Sequence, residues 1–161
     1  MLYDWDAFLD RMRRYPCKFL PPCQDDLIAA VEKNLGSLPS AIKEMLKHFN
    51  GAELFIATGP LLTVFGLSTV PLLPPLEWGE DWYIDKFTPS WRASSLSRDG
   101  DWAIGMMNYD GVILFNEHQG ISEWDRGESR WLLENLTLSD WIERVISDGE
   151  TMMAELKQDE L

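Results

Sequence analysis

The order of apolar and polar residues in the first third of the chain predicts three amphipathic helices. Apolar side chains recur every three or four positions, the spacing that places them on one face of a helix. The helices are expected at residues 4–14, 25–35 and 39–49. Pro39 suits a first helical position, and Gly51 suits the left-handed backbone that directly follows a helix. Three helices are therefore expected before the first strand.

After residue 52 the chain changes to short apolar runs separated by turn residues, a pattern typical of antiparallel strands. Strands are expected at residues 53–57, 61–67, 102–107, 112–115, 121–124 and 130–134. Asp110 and Gly111 predict a tight hairpin between two of these strands, because Gly accepts the positive φ of such a turn. Helices followed by antiparallel strands and a closing helix predict an α+β fold.

The closing helix is expected at residues 137–157. Thr137 and Asp140 fit a capping box at its start, in which each side chain satisfies a free backbone N–H group. Gly149 lies in the middle of this helix and lowers helix stability by about 1 kcal/mol relative to Ala. The sequence therefore predicts a break or kink there.

Residues 70–95 do not follow the regular pattern of the rest of the chain. Their first half is rich in proline and is expected to be extended or a loop. Residues 77–87 fit either a helical turn or a surface loop. This segment is expected to be an insertion between strands.

Acidic residues outnumber basic residues, 27 to 14, and the formal net charge of the 161-residue chain is −13. An acidic surface repels nucleic acid and anionic membranes, and it attracts basic partners. The same charge also has a simpler interpretation, which is solubility alone. A small basic cluster lies near the end of the first helix, where cations complement the helix dipole; its members are Arg11, Arg13, Arg14 and Lys18.

No pattern of catalytic or metal-binding residues is present in the sequence. His48 and His118 have no metal-binding spacing, and the chain contains no P-loop, dinucleotide-binding glycine motif or nucleophile elbow. Cys17 and Cys23 are expected to be reduced thiols. Asp81 and Asp85 form a carboxylate pair that is capable of acid–base chemistry, but no polar partner is visible beside them. The sequence therefore predicts a protein that is not an enzyme and has no cofactor and no bound metal.

The stretch from Leu-Pro through the short helix to Asn50-Gly51 and Leu54-Phe55 resembles the opening motif of the SUKH superfamily. Residues 109–128 are similar to the later hairpins of that family, and residues 138–146 are similar to its closing helix. The resemblance implies N-terminal helices packed on a mostly antiparallel sheet that a C-terminal helix closes. It implies one domain over residues 1–161, with a helical part at 1–50 and a sheet part at 51–134.

The resemblance also implies a function in binding other proteins. One yeast member of the superfamily regulates cell-wall assembly, and most bacterial members are immunity proteins against secreted toxins. The leading hypothesis is a bacterial immunity protein that neutralises a cognate toxin by occlusion. The toxin is expected to be basic, possibly a nuclease, since nucleases bind a polyanion. The alternative hypothesis is a regulatory or scaffolding adaptor that binds a host protein unrelated to toxins.

The candidate partner-binding surface is the acidic-aromatic segment, residues 77–85, which combines carboxylates with large aromatic side chains and contains no basic residue. Aromatic side chains supply contact area, and carboxylates pair with Lys or Arg of a partner. Buried aromatic residues with charged edges give the same pattern. The candidate residues are Glu77, Trp78, Glu80, Asp81, Trp82, Tyr83 and Asp85.

The expected location is the cytoplasm. Charged residues such as Asp4, Asp6 and Arg11 interrupt the region where a secretion signal has its apolar core. The longest apolar stretch, residues 61–76, is broken by Gly66 and by prolines, so no membrane span is predicted.

Overall fold

The computed structural model describes residues 2–68 and 81–159, and within these residues the chain forms helices α1–α5 and strands β1–β7. The helices are α1 (Trp5–Met12), α2 (Asp25–Leu35), α3 (Ser40–His48), α4 (Ile84–Arg92) and α5 (Leu138–Asp159). The strands are β1 (Lys18–Phe19), β2 (Ala52–Ile56), β3 (Pro60–Val64), β4 (Trp102–Met107), β5 (Gly111–Asn116), β6 (Gly120–Asp125) and β7 (Arg130–Leu136).

The strands of the described residues form one antiparallel sheet in chain order, from β1 at one edge to β7 at the other. Every strand therefore pairs with the next one along the chain, and the turns between β4, β5, β6 and β7 are short, as a meander requires. The prediction of three helices before the first strand is wrong, because β1 lies between α1 and α2 and pairs with β2. Helix α5 follows the last strand. The predicted α+β fold with a mostly antiparallel sheet and a closing helix is confirmed.

The sheet is covered on both faces. Helices α1, α3 and α5 pack on one face, where Leu62 and Val64 of β3 line an apolar cavity of only about 20 Å³ together with Trp141 of α5. Phe65 follows Val64 in the chain and packs on Phe87 of α4, with ring centroids 5.6 Å apart. Since alternate residues of a strand point to opposite faces, α4 covers the other face.

Helix α3 ends at His48, and the next residue, Phe49, is extended with φ −158°. Gly51 has the predicted positive φ, +98°, but it lies in the connection to β2 and does not directly follow the helix. The buried Asn50 side chain exchanges two hydrogen bonds with Leu67, donating to its carbonyl (3.1 Å) and accepting from its N–H (2.6 Å). The Asn-Gly pair thus fixes the end of α3 to the chain beyond β3.

Helix α5 is one continuous helix of 22 residues, so the predicted break at Gly149 is wrong. Gly149 faces the ring of Phe55, and a Cβ atom at this position would overlap that ring. Glycine is therefore required by close packing between α5 and β2, and the neighbouring turns of the helix continue through it.

Candidate functional site

Part of the acidic-aromatic segment lies outside the described residues, namely Glu77, Trp78 and Glu80. The structure places Asp81, Trp82, Tyr83 and Asp85 together at the start of α4. Tyr83 is the residue that precedes the helix, and Asp85 lies in its first turn, where a carboxylate stabilises the positive end of the helix dipole. These four residues therefore lie together at the start of a helix. The sequence alone fitted either a helical turn or a surface loop in this region.

Asp85 is half-buried, and its carboxylate is engaged within the protein. One carboxylate oxygen accepts a hydrogen bond from the Ser68 N–H at 2.8 Å, and the other accepts from the Ser68 hydroxyl. The Ile84 N–H donates to the Gly66 carbonyl at 2.8 Å. The start of α4 is thus tied to the chain that follows β3. The Asp85 carboxylate is partly exposed and adds negative charge to the surface, but both of its oxygens already accept hydrogen bonds from Ser68.

Trp82 and Tyr83 are both half-buried. The Trp82 ring packs on Phe65 at a centroid distance of 6.1 Å, and the Lys86 ammonium lies 6.0 Å from the Tyr83 ring. Asp81 is exposed. The described part of the segment therefore presents an exposed carboxylate and two half-buried aromatic rings, of which the Trp82 ring packs on the core.

A buried polar network lies on the same face of the sheet, around Asp101, which is fully buried. Its carboxylate accepts hydrogen bonds from Trp91 Nε1 (3.0 Å), the Arg98 N–H (2.8 Å) and Asn116 Nδ2 (3.0 Å). Trp91 lies in α4, Asn116 in β5 and Arg98 in the connection between α4 and β4, so no local signal in the sequence identifies the network.

The contacts and the exposure of the two histidines are as follows in the structure. His48 Nδ1 lies 2.8 Å from the Glu44 carbonyl, and its Nε2 lies 3.3 Å from the Asp6 carboxylate. His118 is exposed in the turn between β5 and β6. In residues 2–68 and 81–159, no three side chains of the types that bind metals come together in a potential metal site.

Both cysteines are free thiols. Burial raises the pKa of the Cys17 thiol above its ordinary value, and it raises the pKa of Cys23 to about 11. Since the thiolate is the nucleophilic form of cysteine, both side chains are weak nucleophiles at neutral pH.

Within the part of the chain that the structure describes, no helix is both long enough and apolar enough to cross a bilayer.

The fold places the chain in the class of α+β proteins in which helices cover an antiparallel meander. A family model for the SMI1 / KNR4 family (SUKH-1) matches residues 22–144, which is more than half of the chain. The chain therefore belongs to the SMI1 / KNR4 family (SUKH-1), and the predicted SUKH relationship is confirmed. A comparison with curated proteins found no match. Domains of this family are generally non-catalytic immunity or regulatory proteins, so membership indicates a protein-binding role.

Proposed function

We propose that the protein is a non-catalytic binding domain that acts as an immunity protein, occluding a cognate toxin in the cytoplasm of the cell that makes both. The family match over residues 22–144 carries this proposal. The net charge of −13 supports a basic toxin domain as the partner, because long-range attraction raises the rate of association between oppositely charged proteins. A nuclease is the preferred candidate, since nucleases need a basic surface to hold their polyanionic substrate.

We further propose that the acidic-aromatic segment forms part of the contact surface. Asp81 supplies an exposed carboxylate at the start of α4, and Trp82 and Tyr83 supply partly exposed rings beside it. Internal hydrogen bonds of Asp85 hold the first turn of α4 in place. A rigid base of this kind lowers the entropy lost when the aromatic rings are immobilised by a partner.

The primary test is coexpression with any toxin that is encoded beside the gene for this protein. The protein should bind that toxin in purified form, and it should restore growth to cells that express the toxin. Binding without any protection from a toxin would favour the alternative role, a regulatory or scaffolding adaptor. A stable protein that binds no neighbouring toxin would contradict the immunity proposal.

Charge reversal tests whether the acidic-aromatic segment attracts the partner. Glu80→Lys combined with Asp81→Lys should slow association at low salt, and the difference from the unmodified protein should fade as the screening length falls to about 3 Å near 1 M salt. The matched control is Glu155→Lys combined with Asp159→Lys, at exposed positions on α5. The control changes net charge equally, so an equal loss of association rate in both variants would show a general charge effect and argue against the segment.

Trp82→Ala tests the contribution of the aromatic contact to partner binding without changing the net charge. Removing a ring at the centre of an interface typically weakens binding by about 2 kcal/mol or more, mainly through faster dissociation. Because Trp82 rests on Phe65, this variant should also lower the melting temperature. Trp82→Phe keeps an aromatic ring on Phe65 and is the control. Unchanged dissociation by a folded Trp82→Ala variant would remove Trp82 from the proposed interface.

A further inference from the structure

An open cavity of about 430 Å³ lies between the end of α2 and the segment that leads into β4. Gly36 and Ser37 line the cavity, together with Arg92 and Arg98. Its size falls within the range of small-ligand sites, about 300–1,000 Å³. Two of its lining residues are arginines and one, Asp99, is an aspartate.

Arg92 is held in one orientation by three contacts. Its Nε donates to the Asp101 carbonyl at 3.0 Å, its Nη1 donates to the Leu35 carbonyl at 2.9 Å, and its guanidinium lies 4.4 Å from the centre of the Trp102 ring. These contacts cap α2 but use only part of the five N–H groups of the guanidinium. Within residues 2–68 and 81–159, Nη2 has no hydrogen-bond partner.

Arg98, which also lines the cavity, is fixed in a similar way. Its Nη2 donates to the Ser122 hydroxyl at 2.8 Å, and its guanidinium lies 5.2 Å from the centre of the Trp131 ring. Its Nε lies 3.7 Å from the Asp101 carboxylate. The Arg98 guanidinium is engaged by Ser122 and Trp131, which do not line the cavity, so Arg92 is the candidate donor. A pre-oriented guanidinium matches the planar geometry of an oxyanion, and little side-chain entropy is lost when one binds.

The charges around the cavity select among oxyanions. Asp101 and the exposed Asp99 both act on Arg92, and Asp101 also lies beside Arg98, so these two carboxylates offset much of the positive charge of the arginines. Burial lowers the pKa of the Arg92 guanidinium, and an anion beside Arg92 would counteract that desolvation. Because these carboxylates leave little net positive charge, a dianion such as phosphate gains little extra attraction in return for its greater cost of desolvation. A carboxylate therefore fits the site better than a phosphate.

We propose that the cavity between α2 and β4 binds a carboxylate group, with the free N–H groups of Arg92 as its principal donors. The chemistry admits two sources, a small free carboxylate or a carboxylate of a protein or peptide. None of the residues that line the cavity belongs to the acidic-aromatic segment, and acetate binding requires no toxin. Success or failure of this proposal is thus independent of the immunity function.

The test follows backbone amide signals by two-dimensional NMR while acetate is added at constant ionic strength, with neutral acetamide as the matched probe. Acetate should cause saturable shifts at Gly36, Ser37 and Gly100, with a dissociation constant in the millimolar range, and acetamide should not. Arg92→Gln should abolish saturation. Arg130→Gln, an exposed arginine on β7, is the control and should bind as the unmodified protein does.

Asp99→Asn keeps the proposal testable even where Arg92→Gln fails to fold. Removing the opposing carboxylate should tighten acetate binding about twofold or more. Non-saturable shifts, equal shifts with acetamide, or an unchanged affinity in Asp99→Asn would each overturn the proposal. A short peptide with a free carboxyl terminus and its amidated form then separate the sources. Tighter binding of the free form than of acetate assigns the site to a protein or peptide carboxylate, and binding of acetate alone assigns it to a small molecule.

Discussion

At the scale of single residues, the contact between Phe55 and Gly149 joins the sheet to the closing helix. Phe55 is fully buried and has φ +55°, an uncommon backbone conformation for a large residue. Gly149→Ala should lower the free energy of unfolding by about 1–3 kcal/mol, because the added methyl group overpacks the Phe55 ring. This is the net loss, after the helix-propensity gain of about 1 kcal/mol that Ala brings. Urea unfolding measures the difference.

Two further variants isolate the cause. Thr151→Ala, at an exposed position of α5, should change stability little. Combining Gly149→Ala with Phe55→Leu should reduce the loss caused by the alanine, since the smaller side chain leaves room for it. A Gly149→Ala variant as stable as the unmodified protein would show that the ring moves aside at little cost.

Glu123 supplies a prediction about pH. It is almost fully buried, and its carboxylate accepts a hydrogen bond from the Tyr109 hydroxyl. Burial raises its pKa above the ordinary value of 4.5, although the Tyr109 hydrogen bond and Arg144 oppose this shift. The folded protein therefore holds this proton more firmly than the unfolded chain, and stability contributed by Glu123 is lost as pH rises through the folded-state pKa.

Glu123→Gln should therefore melt at a higher temperature than the unmodified protein at pH 7–8. Glutamine is neutral and its side-chain oxygen still accepts from Tyr109. The advantage should shrink as pH falls toward 4.5, where the carboxyl of the unmodified protein also becomes neutral. Calorimetry over this pH range gives both results. A variant that is less stable at pH 7–8 would mean that attraction between Glu123 and Arg144 outweighs the burial of the charge.

At the scale of elements, Asn50 connects the end of α3 to the chain beyond β3. Asn50→Asp replaces the donor to the Leu67 carbonyl with a second oxygen, so two acceptors face each other in a buried site. The expected loss of stability is about 2 kcal/mol or more. Asn34→Asp, at an exposed position of α2, is the matched control and should have little effect. Similar melting temperatures for the two variants would contradict the structural role of Asn50.

Several elements could be predicted from the sequence because their signals are local. Helix α2 has the predicted bounds, since its apolar period is regular and Gly36 stops it; β4 likewise has its predicted bounds. Helix α4 could not be predicted with certainty because it contains Pro89 and has no capping side chain at its start. Its stability comes instead from burial of Phe87 and Trp91 against the sheet, which only the tertiary structure shows.

The candidate site was predictable only in part for the same reason. Its composition marks residues 77–85 as unusual, and the structure groups the four described candidates at one helix end. The bond between Asp85 and Ser68 joins positions 17 residues apart, so no periodic pattern reveals it. The cavity between α2 and β4 brings residues 36–37 beside residues 92–102. Arg92 and Arg98 do not belong to any sequence motif that would have indicated a binding site.

At the scale of the whole molecule, the net charge of −13 predicts a stability that rises with salt. Exposed ion pairs such as Arg126–Asp110 are weakened by salt, but each is worth only about 0–1 kcal/mol. Repulsion among the excess carboxylates acts over longer distances, and the screening length falls from about 30 Å at 0.01 M to about 10 Å at 0.1 M salt. The melting temperature should therefore increase between these two concentrations of NaCl.

A less acidic variant tests whether repulsion is the cause. Glu155→Lys combined with Asp159→Lys changes the net charge from −13 to −9, since each reversal adds two positive units. Its melting temperature should respond less to salt than that of the unmodified protein. A melting temperature that falls with salt would show that local ion pairs outweigh the overall repulsion. If the predicted rise is found, the same long-range field is available to attract a basic partner, and salt should then slow association while it stabilises the free protein.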